Sequence, residues 1–281
     1  MAVVDTADIA PDQEARSSVT APRVEVVVVA HEPGAWFDQT LASLAGQDYP
    51  RYDVTVLLAG DDDVVEGQIG AALPDATVRR VDPSFGYGRT ANEMLDASSP
   101  PAFYLFCHDD VVLASDALRL LVEEAIRSNA SVAGPKLVDW NDPTVLLDVG
   151  LDVDKLGYAV SRIEVGELDQ EQHDGVVDVF AIPGACQLVR GDLFHALEGF
   201  DKAMGVTGED VDFCWRSHVA GARVMVVPSA VVRHRPAGMT ERRGAVKVER
   251  LSERHRVRTL LSVYGIGHSL RVIPQALLYS L

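Results

Sequence analysis

The segment Val24 to Ala30, VEVVVVA, constrains this chain more than any other. Valine fits an extended, pleated backbone, and a run with a single polar residue leaves no face for water, so it reads as a central parallel strand covered on both sides. A sheet of that kind needs helices above and below it, and the sequence supplies them in alternation. Phe37, Leu41, Leu44 and Ala45 draw one apolar helical stripe before Gly46 and Pro50. DVTVLLA at 53–59 and TVRRV at 77–81 read as strands, 89–97 as a helix, and AFYLFC at 102–107 as a fourth strand. Ser115 or Asp116 is placed to cap a helix carrying Leu118, Leu121, Val122, Ala125 and Ile126. The fold class expected is α/β, a Rossmann-type, mostly parallel sheet flanked by helices, with ligands at the carboxyl ends of the strands.

Later segments are less regular. GPKLVDW and VVDVFAIPG read as strands, and the polar stretch 154–175 between them as a long loop. Helical patterns return at 191–198 and 209–219, ARVMVVP at 222–228 reads as a strand, and VVRHR at 231–235 as a separate extended piece. The expected organisation is a flexible tail over 1–22, a folded α/β domain over 23–235 and a basic, amphipathic, helical extension over 236–281. No signal peptide is read at the N-terminus, which has acidic residues and no basic segment leading into an apolar one.

Charge narrows the partners. With 25 Lys and Arg against 42 Asp and Glu the chain carries −17, which would repel a polyanion over most of its surface and argues against nucleic acid. Residues 233–258 run the other way, with nine Arg or Lys against three Glu. Beside the apolar TLLSVYGIGHSLRVIPQALLYSL, broken by Arg271 and Pro274, this basic stretch suits an anionic membrane surface, with a C-terminal helix packed on the domain as the other reading. The apolar tail up to Leu281 raises the expectation of a longer membrane region. Three widely spaced cysteines, Cys107, Cys186 and Cys214, form neither a disulfide framework nor a zinc pattern and suit a reducing, cytoplasmic setting.

Two acidic clusters carry the candidate chemistry. The fourth strand runs into His108-Asp109-Asp110, where oxygen ligands emerging from the core suit Mg²⁺ or Mn²⁺ bridging a diphosphate. Solvated turn acids are the plainer reading of the pair alone. Glu209 and Asp210 open an amphipathic stretch, where one could serve as a general base or both could simply complement a helix dipole. A diphosphate on so acidic a protein needs local positive charge or backbone N–H groups, and Arg89, beside Asn92, is a candidate. His31 and Glu32 at the end of the first strand could line a ligand pocket, and Gly184 could let the backbone approach a ligand.

In order and spacing, VEVVVVAHEP, FGYGRTANEML, FCHDDVVL, IPGACQLVRGDLF and GFDKAMGVTGEDVDFCWR resemble the inverting nucleotide-sugar glycosyltransferases of family 2, which have the GT-A fold. The resemblance spans about 24–235. It implies a nucleotide-diphosphate sugar donor, a divalent metal, and a cell-envelope glycan or lipid-linked acceptor at the inner face of the cell membrane. By position it implies that Asp110 is the last acid of an Asp-x-Asp motif and a metal ligand, with Asp109 and His108 at the diphosphate. It makes Asp210 the acceptor base beside Glu209, and His234 a second metal ligand. His108 stands where that motif often has its first acid. The acid that reads the base or ribose falls among Asp61, Asp62 and Asp63, just past the second strand. Two other classes are weighed: a dinucleotide oxidoreductase, because Gly86-Tyr87-Gly88-Arg89-Thr90-Ala91 fits G-x-G-x-x-A, and a glycan-binding domain of weak activity.

Overall fold

In the computed structural model, residues 21–97, 99–205, 207–235 and 245–279 are described. The expected tail falls outside them up to residue 20, as do 236–244 of the basic stretch. β1 (Val24–Ala30) is buried along its whole length. Its alternate residues feed two different cores: Val24, Val26, Val28 and Ala30 pack on one face of the sheet, Val27 and Val29 on the other. That two-sided burial is why the segment has no polar period.

α1 (Phe37–Ala45) leads to β2 (Tyr52–Ala59), α2 (Asp63–Ala72) and β3 (Thr77–Val81). A short α3 (Tyr87–Ala91), continued by a 3-10 turn over Asn92–Asp96, precedes β4 (Phe103–His108), so the single helix expected over 89–97 changes pitch midway. β1 pairs in parallel with β2 on one side and β4 on the other, the ladders closing one residue apart at Ala30–Leu58 and Val29–His108. β5 (Val111–Leu113) and α4 (Ala117–Arg127) follow. Asp116 occupies the position before α4 without a side-chain capping bond, and Ile126, expected in the apolar stripe, is 54% exposed. The stripe closes at Ala125 because the helix ends two residues later.

The second half adds β6 (Val132–Asp139), β7 (Leu146–Asp148), β8 (Leu151–Val153), β9 (Ala159–Ser161), β10 (Val177–Asp178) and β11 (Cys186–Arg190). Only two residues of VVDVFAIPG form a strand; the rest crosses β8 through a single bridge, Leu151 to Ala181. The polar stretch read as a loop holds β9, hairpinned on β8. Its later part is tethered by buried Lys136 of β6, whose ammonium donates to Asp169 at 2.7 Å and Asp174 at 2.5 Å. α5 (Gly191–Ala196) and α6 (Glu209–Val219) lead to β12 (Val224–His234), which fuses the two extended pieces expected separately. An irregularity between Val227 and Val231 lets β12 follow β6 through both.

Among the described residues the main sheet has the order β10-β12-β6-β11-β4-β1-β2-β3, with β5 on β12 and β7 on β6. Antiparallel β11 beside β4 joins the parallel first half to the second. The three cysteines are free and buried.

The C-terminal extension forms α7 (Ala245–Val263) and α8 (Ile266–Tyr279). Leu260 and Val272 bury against Trp215 and Leu156, so both helices pack on the domain. No described helix is long and apolar enough to cross a membrane.

Candidate active site

Strand register assembles the first cluster. β4 ends at His108, the chain turns through Asp109 and Asp110, and β5 returns against the end of β12, pairing Val111 with His234. Asp110 Oδ1 lies 3.7 Å from His108 Nδ1 and 3.5 Å from His234 Nε2. One ligand atom from each of the three residues falls within 4.8 Å of the others. Asp110 and His234, expected as metal ligands, lie together, and His108, expected at the diphosphate, adds a second imidazole beside the carboxylate. This mixed set fits a divalent cation that accepts nitrogen, which favours Mn²⁺ over the oxygen-demanding Mg²⁺. Asp110 is 6% exposed, its carbonyl accepts from Arg235 N–H at 3.1 Å, and the Arg235 guanidinium lies 4.3 Å over the Trp36 ring.

Asp109 has a different task. Its Oδ2 accepts the His31 N–H at 2.8 Å, and its carbonyl accepts from Thr40 Oγ1 at 3.1 Å, so the adjacent acid braces the loop after β1. The His31 ring reaches Pro83 O at 3.3 Å, tying that loop to the approach to α3. Glu32 is exposed and adopts a left-handed backbone, φ 51°, at the rim.

The second cluster is built at the N-terminus of α6. Gly208, φ 83°, turns the chain so that Asp210 points back to the segment before β11, where its Oδ2 accepts the Gly184 N–H at 2.9 Å. Burial pushes the Asp210 carboxyl above its ordinary range, against the lowering effect of the N–H groups of Gly184 and Val211. The Gly184 carbonyl accepts from Tyr87 Oη at 3.1 Å, so this peptide is held from both ends. A Cβ on Gly184 would stand 3.7 Å from Asp210 Oδ2 and 3.8 Å from His108 Nε2. The late helix and the strand exit therefore meet across one glycine. Glu209, expected beside the base, is buried and packs on Gly88, whose Cβ would stand 3.4 Å from Glu209 Cβ.

Several expected ligand-binding residues are committed to structure. Asn92 donates to Phe200 O at 2.8 Å and accepts from Phe200 N at 2.9 Å, a clamp between the 3-10 turn and the turn before α6. Asp62 caps α2 by accepting from Val64 and Val65 N–H. Asp61 pairs with Arg80, which also holds Asp63 and Glu66, so these three acids belong to a solvated ion network. Arg89 is exposed, with its guanidinium 3.7 Å over the Phe85 ring. Gly86 and Gly88 are packing glycines, because a Cβ on Gly86 would come within 1.3 Å of Gly205 O and one on Gly88 within 2.9 Å of Phe200 Cβ. That overturns the phosphate-loop reading of G-x-G-x-x-A: the motif follows β3 instead of β1, and its glycines face protein.

Three contributors escape a sequence reading. Tyr87 stacks edge-on at 4.8 Å from the His108 ring, and burial raises its hydroxyl well above the ordinary tyrosine range. Arg235, in VVRHR, carries no local signal that its guanidinium stacks on Trp36 while its N–H holds the Asp110 carbonyl. Asp148 at the end of β7 is 8% exposed, and burial followed by the charge of Asp210 raises its carboxyl to about 7, while the Gly150 N–H and Arg162 oppose the shift. A lone acid in LLDVG carries no local signal of this.

A family profile described as glycosyltransferase-like family 2 matches residues 22–254. An N-acetylglucosaminyl-diphospho-decaprenol L-rhamnosyltransferase of Mycobacterium tuberculosis is 28% identical over 251 residues, 77% of each chain. A pre-mycofactocin glycosyltransferase of the same organism is 43% identical over 81 residues, which cover 27% of this chain and 17% of that protein. Among solved structures, GalNAc-T7 with UDP, GalNAc and Mn²⁺ superposes with a TM-score of 0.71 at 14% identity, over 92% of this chain and 51% of that one. The mannosyltransferase PcManGT of Pyrobaculum calidifontis, in complex with GDP-Man and Mn²⁺, gives 0.58 at 16% identity, over 89% of this chain and 69% of that one. The sheet and its flanking helices are thus those of the GT-A glycosyltransferases.

Proposed function

The chain belongs to the glycosyltransferase-like family 2, and from that membership we propose that it moves a sugar from a nucleotide-diphosphate donor to an acceptor hydroxyl with inversion. The observation that carries this reading is Gly184, flanked by Asp210 Oδ2 at 3.7 Å and His108 Nε2 at 3.8 Å from its Cβ position. A base on one side and a diphosphate-binding cluster on the other is the arrangement a single displacement requires.

In that displacement Asp210 accepts the proton of the acceptor hydroxyl as its oxygen bonds to the anomeric carbon. The bond from that carbon to the diphosphate breaks, and the nucleotide diphosphate leaves with the electron pair. The Gly184 and Val211 N–H groups orient the carboxylate, and its desolvation makes it a stronger base than an exposed aspartate. His108, Asp110 and His234 would hold a divalent cation, Mn²⁺ by their donor chemistry, supplying positive charge beside the departing diphosphate. Arg235, stacked on Trp36 next to this cluster, adds a fixed cation. The Mn²⁺ and nucleotides in structures of the same fold support this assignment.

The rhamnosyltransferase relative, by its name, acts on a diphospho-decaprenol, which supports a lipid-linked acceptor class. Exposed Leu261, Ile266 and Leu270 on α7 and α8, with the basic stretch leading into them, support contact with an anionic membrane face.

A thermal-shift screen of nucleoside diphosphates and their sugars, with and without Mn²⁺ and with NAD as control, tests the reading. Stabilisation by a nucleotide-sugar that deepens with Mn²⁺ is expected; stabilisation by NAD alone overturns it.

A further inference from the structure

A cavity borders Asp210. A cavity of about 290 Å³ is lined by Asp210 and Val211 from α6, by Tyr158 and Ala159 from the β8–β9 hairpin, and by Ser252 and Thr259 from α7. Asp210, whose carboxylate reaches Gly184 and through it the neighbourhood of His108, is therefore also part of this cavity's lining.

The walls are fixed deliberately tightly. Arg256 of α7 is 8% exposed, stacks 3.9 Å over the Tyr158 ring and donates to Leu156 O at 2.6 Å, fastening the hairpin to the helix. Gly157, φ 82°, permits that approach, because its Cβ would stand 3.0 Å from Leu260 Cδ2. α7 is fastened in turn to α6, through Thr259 Oγ1 to Asp212 Oδ1 at 3.2 Å and His255 Nδ1 to Thr207 O at 2.6 Å. Residues expected to form a separate extension thus build one wall of a compartment that reaches the base.

We propose that this cavity is the acceptor subsite and that it takes one uncharged sugar ring, recognised through its hydroxyl groups; the proposal rests on the transferase reading above. Size is the first argument: 290 Å³ falls just below the about 300–1,000 Å³ range of pockets for drug-sized ligands, enough for a ring and not for an oligosaccharide. Chemistry is the second. The cation in the lining, Arg256, is paired with Glu253, so an anionic sugar would meet the Asp210 carboxylate without compensation. Ser252 and Thr259 offer hydroxyls, and Leu151, Ala159 and Val211 offer apolar surface suited to the carbon face of a sugar. Arg256 is a positioning residue here, because it sets where the hairpin wall stands.

Saturation-transfer NMR on the full chain with UDP and Mn²⁺ tests this, using the methyl glycosides of mannose, galactose, glucose and rhamnose as probes and methyl glucuronide as the anionic control. At least one neutral glycoside is expected to bind and the glucuronide at least fivefold more weakly. Ser252→Trp, which fills the exposed mouth, should abolish the glycoside signal, and Arg256→Lys, which loses the planar stack, should weaken it at least fivefold while the nucleotide affinity holds. Absence of binding by all four neutral glycosides, preference for the glucuronide, or glycoside binding unchanged in Ser252→Trp overturns the subsite. Failure of the wild-type chain to bind any nucleotide would instead overturn the transferase reading.

Discussion

Asp210 and Gly184, 26 residues apart, are joined by a 2.9 Å hydrogen bond from the glycine N–H to the carboxylate, and that bond brings the start of α6 to the segment just before β11. Asp210→Asn keeps an acceptor for the N–H while removing the base. Transfer should fall by about 10²–10⁴-fold, and the thermal shift with nucleotide should survive. Unaltered turnover would remove Asp210 from its role.

Two glycines separate packing from catalysis. Gly86→Ala drives a methyl into the Gly205 carbonyl, 1.3 Å from its built position, and should destabilise the fold by about 1–3 kcal/mol or more. Gly184→Ala meets only ordinary contacts at 3.7 Å and should unfold within about 0.5 kcal/mol of wild type, yet its methyl stands in the cleft and should slow transfer. Chemical denaturation beside an activity assay reads both. A Gly86→Ala protein of full stability would contradict the packing role.

Asp110→Asn and His234→Ala should each weaken the Mn²⁺-dependent thermal shift by at least about tenfold in metal concentration, and Mg²⁺ should substitute poorly in the wild type. An equal response to Mg²⁺ and Mn²⁺ would count against ligation by the two imidazoles.

The Asp148 carboxyl, raised to about 7 by burial and then by the charge of Asp210, makes stability depend on pH. Its folded value lies above the unfolded one of about 3.9, so its contribution is complete below about pH 4 and is lost as pH rises through about 7. At about 1.4 kcal/mol per unit the loss is at most about 4 kcal/mol. Asp148→Asn can still accept from Gly150 N–H and should flatten the fall in Tm between pH 5 and 8 by several degrees. Parallel Tm curves for variant and wild type would show that Asp148 does not titrate there.

Sedimentation with phosphatidylglycerol vesicles should show salt-sensitive binding of the full chain. Ile266→Asp with Leu270→Asp, at side chains 84% and 73% exposed, should reduce it without changing Tm. Binding that is insensitive to both salt and these changes would exclude this surface.

The first half of the fold is written locally. β1 is buried on both faces, so its valine run has no polar interruption to misread, and α1 shows its core stripe through Phe37, Leu41 and Leu44. The same reasoning fails at Ile126, which continues the α4 period but lies beyond the core's edge. It also divides β12 at Pro228, although the strand resumes its pairing with β6 at Val231. In the site, the residue types were legible but not their directions. Asn92 and Asp62 look as available for a ligand as Asp210, until the structure shows them clamping Phe200 and capping α2.

Sequence alone determined the alternation of strands and helices, the exit of His108, Asp109 and Asp110 from the core and the acidic start of α6, because each is set by neighbours within a few residues. Tertiary structure decided that His234 completes the cluster with Asp110, that Gly184 lies between His108 and Asp210, and that α7 walls the cavity. Those depend on strand order and on helices docking across the sheet, where contacts between distant segments, absent from any local window, decide which polar groups are buried together.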